Sequence, residues 1–220
     1  PLTDELQKEG IGVHFEDLGS NIPAEYQQLD STLVVYTPAI PKNMGELVYV
    51  QQAHTVLKRS EVLGLITQTS KGLGVAGTHG KTTTSTMLAY VLRQSHLKCS
   101  AFLGGISSNF NSNVLVEPDA VYSVIEADEF DRSFLRLTPY ASIITAMDPD
   151  HLDIYGTEES FREGFQEYAD KHKEGNLVVY KSGLPLKQTG FADVYDKPVW
   201  GPNMARYTGL SHELIAGMAD

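Results

Sequence analysis

The sequence carries a single cysteine, Cys99, no cluster of Lys and Arg, and no apolar run near the roughly 20 residues that a membrane helix needs. One cysteine excludes an intrachain disulfide and a multi-thiolate zinc site, so a reducing cytoplasm is the natural setting and Cys99 reads as a small buried hydrophobe. Without a basic run there is no surface for nucleic acid or an anionic membrane, because affinity for a phosphate backbone comes from clustered cations. Pro1-Leu2-Thr3-Asp4-Glu5 offers no basic segment leading into an apolar one, so a soluble, non-secreted protein is expected.

What is present is a 220-residue chain, 41% hydrophobic, in which 17 Lys and Arg face 28 Asp and Glu for a net charge of −11. That is enough apolar material for one large domain or two small ones, and it excludes disorder as the main state. In so negative a chain, any anionic ligand must be held by a local site.

Short apolar strands alternate with helices. Helix is expected over 1–10 and strand over 11–15, and a chain that opens inside a helix implies an element upstream. Thr32–Tyr36 (TLVVY) reads as a buried strand ending at the Thr37-Pro38-Ala39-Ile40-Pro41 turn. Helices are expected over 46–58, 61–69, 81–94 and 158–172, the last with Phe161, Phe165 and Tyr168 on one face, and a late helical segment carries His212. Strands are expected over 72–76, 100–103, 121–127, 141–146 and 176–180. The alternation predicts an α/β protein with a mostly parallel sheet flanked by helices. A polar seam at Thr69-Ser70-Lys71-Gly72 precedes the strongest motif.

That motif is Gly77-Thr78-His79-Gly80-Lys81-Thr82-Thr83-Thr84, set between an apolar strand and a helix. Glycines let successive N–H groups turn toward one anion, and the helix behind adds its positive end. Lys81 can reach terminal phosphates and the Thr82 hydroxyl can ligate Mg²⁺. The spacing departs from the common P-loop, which wants a glycine where Val75 stands. Two further clusters lie just after strands: Glu126-Ala127-Asp128-Glu129, and Asp148-Pro149-Asp150-His151-Leu152-Asp153. Ligands of open parallel sheets gather at the carboxyl ends of strands, so the lysine, a carboxylate and a histidine are expected to converge. Glu126 is a hard oxygen donor suited to Mg²⁺; a solvated strand end and a capped turn are the plainer alternatives for the two clusters. An exposed loop lysine adds little to packing, so replacing Lys81 is expected to remove activity and spare the fold.

Taken together, Gly77–Thr84, Glu126–Glu129 with Asp131 and Ser133-Phe134-Leu135, and Asp150–Tyr155 resemble the Mur ligases, and the resemblance runs over roughly residues 1–187. It implies that residues 1–70 are the C-terminal part of a UDP-binding, Rossmann-like domain and 71–220 an incomplete, P-loop-type central ATP-binding domain, with 188–220 unassigned. It also implies a bacterial, cytoplasmic, ATP- and Mg²⁺-dependent ligase of peptidoglycan synthesis. Its small-molecule substrates would be UDP-N-acetylmuramate and L-alanine, joined through an acyl phosphate. Carried over residue by residue, the phosphate-binding loop is Gly77, Thr78, His79, Gly80, Lys81, Thr82 and Thr83. The catalytic residues are Lys81, Glu126 and His151, and the metal-binding residues Thr82, Glu126 and His151. Gly105, Ser107, Asn109 and Tyr155 are candidates for contacting the sugar, against a glycine turn and a packed tyrosine as the alternative. Ala146 stands where the family usually has Asn. The murein tripeptide ligase branch, the more distant folylpolyglutamate synthases and a non-catalytic nucleotide-binding fragment remain as alternatives; oligomeric state is not legible.

Overall fold

The computed structural model describes residues 2–173, 176–187 and 192–195. The chain divides at Arg59/Ser60 into two compact units.

The first unit holds α1 (Leu2–Lys8), β1 (Leu33–Tyr36), α2 (Gly45–Val50) and β2 (Thr55–Lys58). β1 and β2 pair in parallel, Leu33 opposite Thr55 and Tyr36 opposite Lys58. α2 has no side-chain cap of its own at Met44; instead the Asp17 carboxylate accepts the Gly45 and Glu46 amides at 2.6 and 2.9 Å. Those amide donors hold the Asp17 carboxyl below its usual range, as expected for an anion at a helix N-terminus. Three expectations are corrected here. Residues 11–15 form no strand, because Gly10 turns the chain at φ +85° and no described strand pairs with that segment. The helix expected over 46–58 stops at Val50, and β-branched Thr55-Val56 joins β1 instead. β1 itself is half-exposed, with Leu33 and Val35 turned outward, because a two-stranded sheet covers little of either face.

The second unit contains α3 (Arg59–Thr69), β3 (Lys71–Ala76), α4 (Lys81–Gln94), β4 (Ser100–Ser107), β5 (Ser112–Leu115), β6 (Tyr122–Ala127), β7 (Ala141–Ile144), α5 (Leu152–Tyr155), α6 (Glu158–Asp170), β8 (Val178–Lys181) and β9 (Ala192–Tyr195). The sheet order is β5-β4-β6-β3-β7-β8-β9, parallel throughout except for the β4–β5 edge hairpin. β5 has no counterpart among the expected strands, and β4 runs four residues past the expected end at Leu103. α3 packs on this unit, and the polar stretch 69–72 joins it to β3. Gly64 lies against the Arg136 carbonyl, where no Cβ would fit, and the Thr67 hydroxyl accepts the Thr138 amide at 2.9 Å.

Alternation along the strands loads both faces of the sheet. Val124 joins a cluster with Ala89, Cys99, Ala101 and Leu103, whereas Ile125 joins Phe134, Ile144, Phe161, Phe165 and Tyr168. Phe161, Phe165 and Tyr168 of α6 are fully buried, as their helical spacing predicts, and Phe134 stacks on Tyr168 with centroids 5.0 Å apart. Cys99 is fully buried, its thiol toward the Ala89 carbonyl, and burial pushes its pKa up to about 11. Among the described residues no helix is long and apolar enough to cross a membrane. The tail from Gln188, which the sequence reading leaves unassigned, lies with His212 outside the described residues apart from β9.

Candidate functional site

β3 occupies the middle of the sheet, with β6 on one side and β7 on the other, so the three strand ends that carry motifs are immediate neighbours. Val75 lies opposite both Glu126 and Ile143, and Ala76 opposite Ala127 and Ile144. The loop leaving β3 turns at Gly77 (φ +131°) and Gly80 (φ +79°), conformations that favour glycine. Gly77 has a second requirement, since a Cβ there would run into the Thr145 hydroxyl and the Ala146 backbone. β7's extension clamps the loop: the Thr145 hydroxyl donates to the carbonyls of Ala76 and His79, and the Ala146 carbonyl accepts the Thr78 amide at 3.2 Å. The Ala146 contribution is made by backbone, so it does not depend on the missing Asn side chain.

α4 starts at Lys81 directly behind Gly80, with no side-chain cap, so its first amides face the loop unclaimed by a capping side chain. Thr82 Oγ1 donates to Glu126 Oε1 at 3.0 Å, while Glu126 Oε2 accepts the Gly104 amide at 2.7 Å. A hydroxyl and a carboxylate so placed are hard oxygen donors that fit Mg²⁺. Among the described residues no three His, Cys, Asp or Glu side chains group around one point. Glu126 would hold the ion with Thr82; its present bonds to Thr82 and Gly104 keep the carboxylate in place.

Lys81 is not the freely exposed loop lysine expected from sequence. Its Nζ donates to both carboxylate oxygens of Glu129, at 2.9 and 2.7 Å, and the Glu129 side chain is only 2% exposed. No sequence signal separates Glu129 from Asp128 as the residue that turns inward; the pairing is made by tertiary structure. Tyr155 is likewise drawn into the interior of the unit. It is buried, and its hydroxyl donates to the Glu129 carbonyl at 2.7 Å. Desolvation, only partly offset by nearby Arg132, raises its pKa to about 12, so it stays a donor at neutral pH.

The remaining candidates spread out. His151 begins α5 in a left-handed conformation, edge-on to Phe130 and 3.8 Å from Asp150, and none of its described contacts reaches Thr82 or Glu126. His79 and Asp148 lie 3.7 Å apart, both well exposed. Gly105 sits beside Thr82, where a Cβ would rest 3.6 Å from Thr82 Cγ2, at the start of α4. Ser107 is buried at the end of β4 with no partner for its hydroxyl, and Asn109 is exposed in the following turn. No described contact ties either to the loop.

A central parallel strand, a glycine-bounded loop and a helix opening on Lys-Thr define the class: a P-loop-type α/β domain. Residues 75–196 match the Mur ligase middle domain, and the chain belongs to the Mur ligase family. The chain is 50% identical over 195 residues to the UDP-N-acetylmuramate–L-alanine ligase of Porphyromonas gingivalis, covering 88% of this chain and 43% of that protein. It is 52% identical over 185 residues to the protein of that name from Parabacteroides distasonis, covering 83% and 40%. Among solved structures, the UDP-N-acetylmuramate-alanine ligase of Thermotoga maritima is similar at a TM-score of 0.66 and 28% identity, covering 82% of this chain and 41% of that one. The UDP-N-acetylmuramate:L-alanyl-gamma-D-glutamyl-meso-diaminopimelate ligase of Neisseria meningitides shares the fold at a TM-score of 0.72 and 24% identity, covering 84% and 61%. The chain thus spans less than half the length of the curated relatives it matches.

Proposed function

We propose that this chain is the nucleotide-handling part of a cytoplasmic ATP-dependent ligase that joins L-alanine to the lactyl carboxylate of UDP-N-acetylmuramate. The observation that carries the reading is identity of 50% and 52% to proteins of that name over most of this chain. In the reaction, the lactyl carboxylate attacks the γ-phosphorus of ATP and ADP leaves; the alanine amine then adds to the acyl phosphate, and expulsion of phosphate leaves the amide. Both partners of the first step are anions, so the protein's task is charge neutralisation and alignment.

In this reading the loop amides from Gly77 to Lys81 cradle the phosphates and the Lys81 ammonium meets the terminal ones. Thr82 and Glu126 would hold Mg²⁺, which when bound supplies further neutralisation of phosphate charge. His151 follows β7 in the chain at the start of α5, and its proposed role is a second metal contact near the acyl phosphate.

The test is phosphate release by the complete protein. Release should require ATP, UDP-N-acetylmuramate and L-alanine together, and L-alanyl-γ-D-glutamyl-meso-diaminopimelate should not replace L-alanine. Release with the tripeptide and none with L-alanine would move the assignment to the other branch. ATP binding without release under either condition would leave a binding module.

A further inference from the structure

The second acidic residue of Glu126-Ala127-Asp128-Glu129 to reach the site is left without a task by the function above, although it is the most buried charged side chain the site contains. Glu129 is 1% exposed and gives both carboxylate oxygens to the Lys81 ammonium, at 2.9 and 2.7 Å. A carboxylate that far from water is costly unless its partner stays, and removing one member of such a pair strands the other. Lysine has three N–H donors, and Glu129 takes two of them. The third is free for a phosphate oxygen without breaking the pair.

Glu129 is itself fixed from behind. Its backbone carbonyl accepts the Tyr155 hydroxyl at 2.7 Å. The Tyr155 ring is buried, edge-on to Phe161 at 5.1 Å, and Gly164 leaves room for it, since a Cβ at that position would stand 3.0 Å from the ring. Arg132 lies over the Tyr155 ring, 5.2 Å from its centroid, and donates to Ser160 at 2.7 Å. The next carbonyl back, that of Asp128, accepts the Phe134 amide at 2.8 Å across the left-handed pair Asp131-Arg132. One line of contacts therefore runs from α6 through Tyr155 and Glu129 to Lys81, and Tyr155 closes the short helix that His151 opens.

We infer that Glu129 is the positioning residue of the phosphate-binding lysine, held in place by Tyr155, and that it keeps its grip on the ammonium when nucleotide binds. The inference rests on the ATP reading for its purpose but not for its geometry. Lys81 does not swing from a resting partner to the phosphate; it is delivered already oriented, and the buried carboxylate limits the directions its third donor can take. Tyr155, for which the sequence leaves a sugar contact and a packed ring both open, acts through Glu129 and Lys81.

The experiment monitors the Lys81 ammonium of the ¹⁵N-labelled chain by NMR, assigned by its loss in Lys81→Arg. Without nucleotide, the wild type should show a resolved ammonium signal in slow exchange with water. Glu129→Gln should lose it, and Tyr155→Phe should keep it with exchange several-fold faster. Adding ATP–Mg²⁺ to the wild type should shift the signal and leave its slow exchange intact. An unchanged signal in Glu129→Gln, or unchanged exchange in Tyr155→Phe, would overturn the inference; so would loss of protection on adding ATP. Absence of any nucleotide-induced shift would instead overturn the ATP reading, with the dependence on Glu129 still standing. Because Tyr155→Phe retains the ring and the ion pair, it tests the idea even if Glu129→Gln folds poorly.

Discussion

Two adjacent glycines of β4 should respond very differently to alanine. At Gly104 a Cβ would stand 2.5–2.6 Å from Glu126 Oε1, Cδ and Oε2, closer than carbon tolerates. φ is not positive there, so the strain falls on the Glu126 side chain rather than on the backbone. The carboxylate must leave, breaking its bonds from the Gly104 amide (2.7 Å) and the Thr82 hydroxyl (3.0 Å). Hydrogen bonds to a charged group contribute about 1.5–3 kcal/mol each, but Glu126 is only partly buried and regains water when displaced. The net loss should be about 2 kcal/mol, or ~4–8 °C in Tm at ~2–4 °C per kcal/mol for a unit of this size. At Gly105 a Cβ would meet only Thr82 Cγ2 at 3.6 Å, an ordinary contact, so Gly105→Ala should change stability by less than about 0.5 kcal/mol. Thermal melts of the two variants test this, and titration with ATP at several Mg²⁺ concentrations adds the functional arm. Gly104→Ala should need more Mg²⁺ for the same ATP affinity. Equal melting temperatures, or an unchanged Mg²⁺ requirement in Gly104→Ala, would refute the placing of Glu126.

Lys81→Ala should cost about 3–5 kcal/mol by stranding the buried Glu129, contrary to the expectation of an intact fold, and Lys81→Met with Glu129→Gln should recover much of it; urea melts of the three proteins decide. His172 is held neutral between the Ala169 carbonyl and Ser142, 2.9 Å from each, and burial lowers its pKa. The unfolded chain therefore takes up the proton first, so the stability His172 contributes is present above about pH 6.5 and is lost as pH falls below it. The Tm difference between wild type and His172→Gln should narrow on acidification from pH 7.5 to 5.5. Cys99, buried with its pKa raised to about 11, should resist a thiol reagent at pH 8 in the native chain and react fully in denaturant.

How much of the molecule is legible in the sequence depends on the range of the interactions involved. α4 is legible to the residue because Gly80 and Ser95 punctuate it and its loop carries its own chemistry. The buried face of α6 is legible from the spacing of Phe161, Phe165 and Tyr168. β5, with Ser112-Asn113 in a four-residue edge strand, offers no pattern that separates it from a turn, and β2 lies where Leu47, Val50 and Leu57 keep a helical spacing. The site divides in the same way. Thr82 and Glu126 can be read from motif and sheet position, whereas the partnership of Lys81 with Glu129 and the anchoring role of Tyr155 join segments far apart in the chain. Local propensity holds no record of such pairings, and only the assembled sheet brings them together.

The central claim is that the Gly77–Lys81 loop, with Thr82 and Glu126, binds ATP–Mg²⁺. Calorimetric titration of the chain with ATP tests it most directly, run with Mg²⁺, without Mg²⁺, and on the doubly substituted Lys81→Met, Glu129→Gln protein. One ATP should bind per chain, more tightly with Mg²⁺ and at least tenfold more weakly in the double variant. Binding of equal strength in all three titrations, or none in the first, would contradict it.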